Sequence, residues 1–185
     1  MRSIIFRQHI SNIGKDYQET KLDNEYKIVF WKPGLTKFVP ESYPKKYFLY
    51  WFFHYFRIFK NRNYSAILIY HNSKVVSCIL AIPSYFKWPF MLKNDVQIAY
   101  VITDSNYRGK GLAAEAILAS VKNLQHTGVH DVWYVTSEDN FSSIKLCTKL
   151  GFEPQGYGKR KYFLKFLHVL QMQREKINID LKTKI

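Results

Sequence analysis

The sequence is poor in cysteine, which argues against two kinds of stabilising framework. Its 185 residues include two cysteines, Cys78 and Cys147, and neither belongs to a Cys-x-x-Cys pair or to a Cys/His ligand pattern. Such isolated cysteines do not build a disulfide framework or a zinc site. We therefore expect no metal site, a reducing compartment and a cytoplasmic location.

Long apolar stretches are also missing. Residues 1–9 lack the apolar core of a signal peptide. The longest apolar stretch, residues 47–59, contains His54 and Arg57 and falls short of the roughly 20 residues that cross a bilayer. We expect a buried or interfacial helix here, with peripheral membrane contact through its aromatic face as an alternative.

Acidic residues are scarce: 14 Asp and Glu stand against 28 Lys and Arg, for a net charge of +14. A basic surface attracts nucleic acid, acidic lipid or a phosphorylated cofactor, although it can also serve solubility alone. The densest basic patch is Lys159-Arg160-Lys161, followed by Tyr162 and Phe163. This patch is short for a nucleic-acid tail, so a nucleic-acid-binding module remains an alternative and not the main interpretation.

Hydrophobic residues make up 47% of the chain, enough for the core of a single domain of ordinary size. The apolar patterning predicts strands at Tyr26–Trp31, 66–70, 75–82, Val96–Thr103, 132–136 and 162–166. It predicts helices at 48–59, Leu112–Leu124 and 141–150, and leaves the tail from Gln171 unassigned. This order indicates a mixed α/β layer around a central sheet.

A glycine-containing loop lies between the strand Val96–Thr103 and the helix Leu112–Leu124. Its sequence is Arg108-Gly109-Lys110-Gly111-Leu112-Ala113. Backbone amides at a helix start have no partner within the helix and attract phosphate. The loop is neither a P-loop nor a dinucleotide fingerprint, because the required spacings are absent and Ala114 stands where a third glycine is needed. A tight turn without a ligand is the alternative.

A second motif follows in Asn140-Phe141-Ser142-Ser143, with Lys149-Leu150-Gly151-Phe152 at the end of the next helix. In these two motifs the sequence resembles the GNAT superfamily of N-acetyltransferases, over residues 96–166. The resemblance implies an α/β (α+β) fold with a central, mixed, mostly antiparallel sheet flanked by helices, and strands splayed at a cofactor cleft. It implies one domain over residues 1–185, with the cofactor half at about 96–166 and the acceptor half at about 1–95.

The resemblance also implies the reaction. An acetyl group would pass from acetyl-CoA to a primary amine of a small molecule, by direct attack through a tetrahedral intermediate. The Val101 amide would stabilise the oxyanion, with a backbone donor of this kind worth about 3 kcal/mol. The residues matching the family's cofactor-binding positions are Val101, Ile102, Thr103, Arg108, Gly109, Lys110, Gly111, Leu112, Ala113, Asn140 and Ser143.

Two positions depart from the family pattern. Cys147 stands where family helices often carry a tyrosine that protonates the thiolate, so Cys147 is a candidate acid, with packing as its alternative. Gln97 stands where some members have a glutamate base, and Asp95, two residues earlier, is a substitute candidate. Glu138 and Asp139 are others, and a solvated or capping carboxylate is the alternative for all three. Both departures leave open a catalytically inactive GNAT fold that binds CoA or a partner.

The acceptor site is predicted from aromatic residues that concentrate in the first half of the chain, with packing in the core as their alternative: Tyr50, Trp51, His54, Tyr85 and Tyr100. Residues 100–104 are similar to acetyltransferases found among cell-surface polysaccharide and amino-sugar genes, which favours a small amine such as an amino sugar. The acyl length and the formation of a homodimer stay open.

Overall fold

The computed structural model describes residues 2–18, 22–164, 167–175 and 177. Its strands are β1 (Ser3–His9), β2 (Tyr26–Trp31), β3 (Ser65–His71), β4 (Lys74–Pro83), β5 (Val96–Thr103), β6 (Asp131–Ser137), β7 (Glu153–Leu164) and β8 (Leu167–Gln173). Its α-helices are α1 (Phe48–Tyr55), α2 (Leu112–Leu124) and α3 (Phe141–Lys149). Short 3-10 turns lie at Ile10–Asn12, Lys45–Tyr47 and Ser105–Tyr107.

The strands form one sheet in the order β2-β3-β4-β5-β6-β1-β7-β8. β5 and β6 run parallel, and the other neighbouring pairs run antiparallel. This arrangement confirms the fold class expected from the sequence: a mixed, mostly antiparallel sheet flanked by helices. In the described part of the chain, no helix is long and apolar enough to span a membrane.

The sheet buries a hydrophobic core on each face. Ile67 and Ile69 of β3 pack into the core that holds α2 and α3, whereas Leu68 between them packs into an aromatic core beneath α1. This alternation follows from the two-residue period of a strand. α1 buries Tyr50 and Phe53.

Four observed elements, α1, β7, β1 and β8, differ clearly from the sequence prediction. α1 ends at Tyr55, because Arg57 adopts a left-handed φ of 58° and the Ile58 amide turns back to the Phe53 carbonyl at 3.0 Å. The strand predicted at 162–166 is the end of β7, which begins at Glu153; residues 165 and 166 lie outside the described residues. β1 and β8 were not predicted from the sequence.

β5 has an irregular geometry where the cofactor cleft was expected. Its register with β4 shifts between Cys78 and Leu80, where β5 carries one residue more than its partner. Tyr100 lies in this bulge with a φ of 52°. On its other side β5 pairs with β6 only from Val96 to Ile98. Beyond Ile98 the two strands are unpaired, as the resemblance implied.

Candidate active site

The loop before α2 presents unpaired backbone amides. Gly109 and Gly111 have φ values of 78° and 77°, a left-handed conformation that glycine adopts without strain. Within the described part of the chain, the amides of residues 109–113 donate to no other residue. A Cβ atom built on Gly109 would meet nothing within 4 Å. The start of α2 is therefore an open site for an anion.

Side chains beside this loop fix its position and add positive charge. The Arg108 Nε donates to the Thr103 carbonyl at 3.4 Å, and the Tyr107 hydroxyl lies 3.1 Å from His71 Nδ1. The Lys110 ammonium lies 5.1 Å from the centre of the Tyr107 ring. Among the described residues, neither Arg108 nor Lys110 forms a salt bridge, so both charges remain available to a ligand.

The second motif lies at the start of α3. The Asn140 side-chain oxygen accepts from the Ser143 amide at 3.2 Å and from the Ser142 hydroxyl at 2.9 Å, which makes it the helix cap. The Ser143 hydroxyl in turn lies 3.5 Å from the Tyr134 hydroxyl of β6. The Asn140 side-chain nitrogen donates to none of the residues described, so the cap keeps a donor for a ligand.

The Tyr100 bulge is held by two other tyrosines. The Tyr43 hydroxyl donates to the Tyr100 carbonyl at 3.0 Å, and the Tyr50 and Tyr100 hydroxyls are 2.8 Å apart. Burial raises the pKa of both Tyr43 and Tyr50 far above the ordinary tyrosine range. Both therefore stay protonated and keep their hydrogen bonds at any physiological pH. The bulge places Val101 in the part of β5 that is no longer paired with β6.

A cavity of about 850 Å³ opens where β5 and β6 separate. Gln97, Ala99 and Tyr100 form its β5 side, and residues 135–137 of β6 lie opposite. Gln97 is 3% exposed. Its Oε1 and the Ser137 hydroxyl find no hydrogen-bond partner among the described residues. Buried polar atoms are normally satisfied, so this site can receive polar groups of a ligand.

The predicted acceptor residues fall into two groups. Tyr100 lines the cavity, and Tyr50 and Tyr85 pack behind it in the aromatic core. Trp51 and His54 are not among the lining residues: the Trp51 indole donates to the Gly34 carbonyl at 2.9 Å. Burial, together with the nearby Arg62, lowers the His54 pKa.

The two candidate proton-transfer residues also lie outside the cavity lining. Asp95 is 1% exposed, and its Oδ2 accepts from the Leu92 amide and the Trp133 indole, each at 2.8 Å. These contacts fix the start of β5 against β6. Cys147 is fully buried, and this burial raises the pKa of its thiol. The geometry therefore favours structural roles for both.

The structure adds a basic wall, of which only Arg160 lies in a basic patch noted from the sequence. Lys87, Arg160 and His168 come from a loop, β7 and β8, and all three line the cavity. Burial, with the charges of Lys87 and Arg160, lowers the His168 pKa. His168 lies on a strand that the sequence did not predict, so no sequence signal pointed to it. In the described ranges, no cluster of three or more His, Cys, Asp or Glu residues could hold a metal.

The chain is similar in sequence to a known protein family and in fold to solved structures. The model of the Acetyltransferase (GNAT) family matches residues 28–152. A GCN5-related N-acetyltransferase from Sphaerobacter thermophilus aligns with a TM-score of 0.57 and 16% identity, over 96% of this chain and 54% of that chain. One from Kribbella flavida aligns with a TM-score of 0.52 and 13% identity, over 85% and 56%.

A tandem GNAT protein from the clavulanic acid biosynthesis pathway has a TM-score of 0.57 and 14% identity, over 83% of this chain and 50% of that chain. At these identities the likeness concerns the fold alone. The chain spans about half the length of these solved structures. No curated protein matches the chain.

Proposed function

The chain belongs to the GNAT acetyltransferase family, and on that premise we propose that it transfers the acetyl group of acetyl-CoA to the primary amine of a small molecule. The observation that carries this proposal is the row of unpaired amides at residues 109–113, directly after a strand that splays from its neighbour. An amino sugar remains the acceptor that we propose. Free, buried Cys78 and Cys147 fit a reducing cytoplasm.

Three segments of this chain would contact acetyl-CoA: the loop before α2, the unpaired edge of β5 and the start of α3. The amides of residues 109–113, with the charges of Arg108 and Lys110, would hold the pyrophosphate. Backbone groups of Val101 and Thr103, next to Ile102, would bind the pantetheine arm along the unpaired edge of β5. Asn140 and Ser143 would bind it from the start of α3. The bound cofactor supplies an acetyl group activated as a thioester.

Residues where β5 separates from β6 would then stabilise the developing charge and orient the acceptor amine. The Val101 amide would donate to the carbonyl oxygen as negative charge develops there, a contribution of about 3 kcal/mol in comparable sites. The unpartnered Oε1 of Gln97 would accept a hydrogen bond from the acceptor amine and orient it. Gln97 thus has a binding role in place of the base found in some members.

His168 is our candidate for the base. It lines the same cavity as Gln97, and its lowered pKa keeps it neutral at pH 7, the form that accepts a proton. Asp95, the candidate from the sequence, has one carboxylate oxygen engaged by two donors. The burial of Cys147 favours packing, the alternative that the sequence left open for this residue.

The first experiment is thermal unfolding with acetyl-CoA, CoA or ATP added separately. A ligand that binds only the folded state stabilises it by about 2.7 kcal/mol at a hundredfold excess over its dissociation constant. For a chain of this size that corresponds to roughly 5–10 °C in Tm. We expect the shift with both CoA species and not with ATP, followed by amine-dependent release of free thiol. Equal shifts with all three ligands, or none, would contradict the proposal.

A further inference from the structure

The charged residues that line the cavity in the splay are all basic. They are Arg2, Lys87, Lys159 and Arg160, with His168 beside them, and no Asp or Glu among the described residues lines the cavity. Arg2 is neutralised by Glu138, 3.3 Å away. In the ranges that the structure describes, Lys87, Lys159 and Arg160 form no salt bridge. Lys87, Lys159 and Arg160 therefore carry positive charge without a counterion from the part of the chain that the structure describes.

Lys87 and Arg160 are brought together by the backbone. Arg160 of β7 lies opposite Leu170 of β8 in the strand register. The Leu170 amide donates to the Lys87 carbonyl at 3.0 Å, which ties the loop of Lys87 to the same strand. Lys87 is half-buried, and its pKa is lowered first by burial and then by the charge of Arg160. Converging like charges oppose folding, and a bound anion would relieve that repulsion.

This wall is separate from the predicted cofactor loop. The cavity reaches β5 at Gln97, Ala99 and Tyr100, whereas the loop begins five residues after the strand ends at Thr103. Lys87 lies in the loop before β5, at the start of that strand, where the Ser84 amide donates to the Asp95 carbonyl at 3.1 Å. From there the seven residues Gln97 to Thr103 span six steps of about 3.3 Å, or roughly 20 Å. The phosphates held at the loop therefore do not occupy the basic wall, which is open to a second anionic group.

We propose that the acceptor is an anionic amine, whose phosphate or carboxylate is held by Lys87 and Arg160 while its amine faces Gln97. This inference rests on the proposed function, because it assigns the acceptor of the same reaction. A cavity of about 850 Å³ lies within the usual range of small-molecule sites. The concave shape of the cavity favours a small molecule over a nucleic acid, which tracks along an open basic groove.

The test compares three ligands that share one amine: glucosamine, glucosamine 6-phosphate and muramic acid, which carries a carboxylate. Their affinities for the full chain are measured by calorimetry without cofactor. We expect at least one anionic ligand to bind about tenfold or more tightly than glucosamine, because hydrogen bonds to charged groups are the stronger ones. The phosphate and carboxylate ligands together identify which anion the wall prefers.

Two variants and one control locate the effect. Lys87→Met and Arg160→Gln should each reduce the anionic preference about tenfold and raise the acceptor KM more than they lower kcat. Lys122→Met removes the same charge from the exposed end of α2 and should change neither. Affinity for CoA should be the same in all of these proteins.

Equal affinity for all three ligands, with CoA binding intact, would overturn the inference and leave the proposed function standing. If the unsubstituted chain does not bind CoA, the proposed function itself would be overturned. Tight binding of a single-stranded oligonucleotide that depends on Arg160, without binding of either anionic amine, would assign the wall to nucleic acid and also overturn the inference.

Discussion

Replacing Gly109 by alanine tests its role in cofactor binding. Replacing Gly128 by alanine is the matched control, which separates an effect on binding from an effect on stability. Gly109 and Gly128 have φ values of 78° and 75°, and a Cβ atom at either position meets nothing within 4 Å. Both alanines therefore incur the same left-handed strain, about 1–2 kcal/mol, without a clash. Gly109 precedes α2 in the proposed phosphate loop, whereas Gly128 follows the other end of that helix.

The expected stability losses are equal, at roughly 2–8 °C in Tm for each variant. The expected affinities differ. A Cβ at residue 109 enters the open space that we assign to the pyrophosphate and obstructs one of the amide hydrogen bonds to it. One such charge-assisted bond is worth about 1.5–3 kcal/mol, so the CoA dissociation constant should rise about 10–150-fold. Gly128→Ala should bind CoA as the unsubstituted chain does.

Calorimetric titration of CoA into the three proteins, below the Tm of each, measures this difference. Far-UV circular dichroism confirms that each variant is folded before titration. If folded Gly109→Ala binds CoA as tightly as Gly128→Ala, the loop does not hold the pyrophosphate and the assignment of residues 109–113 is wrong.

Three further outcomes follow from the proton-transfer residues. Asp95→Ala should lower the free energy of unfolding by about 1–3 kcal/mol, because it leaves the Trp133 indole unpaired. Asp95→Asn should keep most turnover. A folded but inactive Asp95→Asn would instead identify Asp95 as the base. Cys147→Ala should keep turnover within about threefold, and a 100-fold loss, about 2.7 kcal/mol, would make Cys147 the acid. The kcat/KM of the unsubstituted chain should fall as pH drops through the His168 pKa, which lies below its ordinary value of 6.5 because of burial, Lys87 and Arg160. His168→Gln should abolish that inflection, and an unchanged pH profile would exclude His168 as the base.

Elements whose signals are local were predicted well from the sequence. The observed bounds of β2, β5 and α2 agree with the prediction, since each element combines an apolar pattern with a polar or glycine-containing segment next to one end. The strands predicted at 66–70 and 75–82 are also present, as β3 and β4. The phosphate loop was recognisable because its motif is contiguous.

Features built from distant segments were not predictable in this way. β1 resembles an ordinary N-terminal segment, yet it pairs with β6 and β7 in the interior of the sheet, with Ser3 opposite both Ser137 and Gly158. The basic wall combines residues from a loop and two strands; Arg160 belongs to a basic patch visible in the sequence, whereas nothing in the sequence links Lys87 or His168 to that patch. Tyr43 could not be singled out from the sequence, because its hydrogen bond to the Tyr100 carbonyl depends on the bulge in β5.

The short pairing of β5 with β6 has a mechanical consequence. β2 to β5 form one half of the sheet, and β6, β1, β7 and β8 form the other half. Within the sheet, the residue pairs from Val96–Val132 to Ile98–Tyr134 join the two halves. We expect this junction to be the most compliant line across the molecule, so that small rotations of the halves open and narrow the cleft. A ligand in contact with both strands would stiffen that hinge, and amide hydrogen exchange along β5 and β6 would then slow on binding.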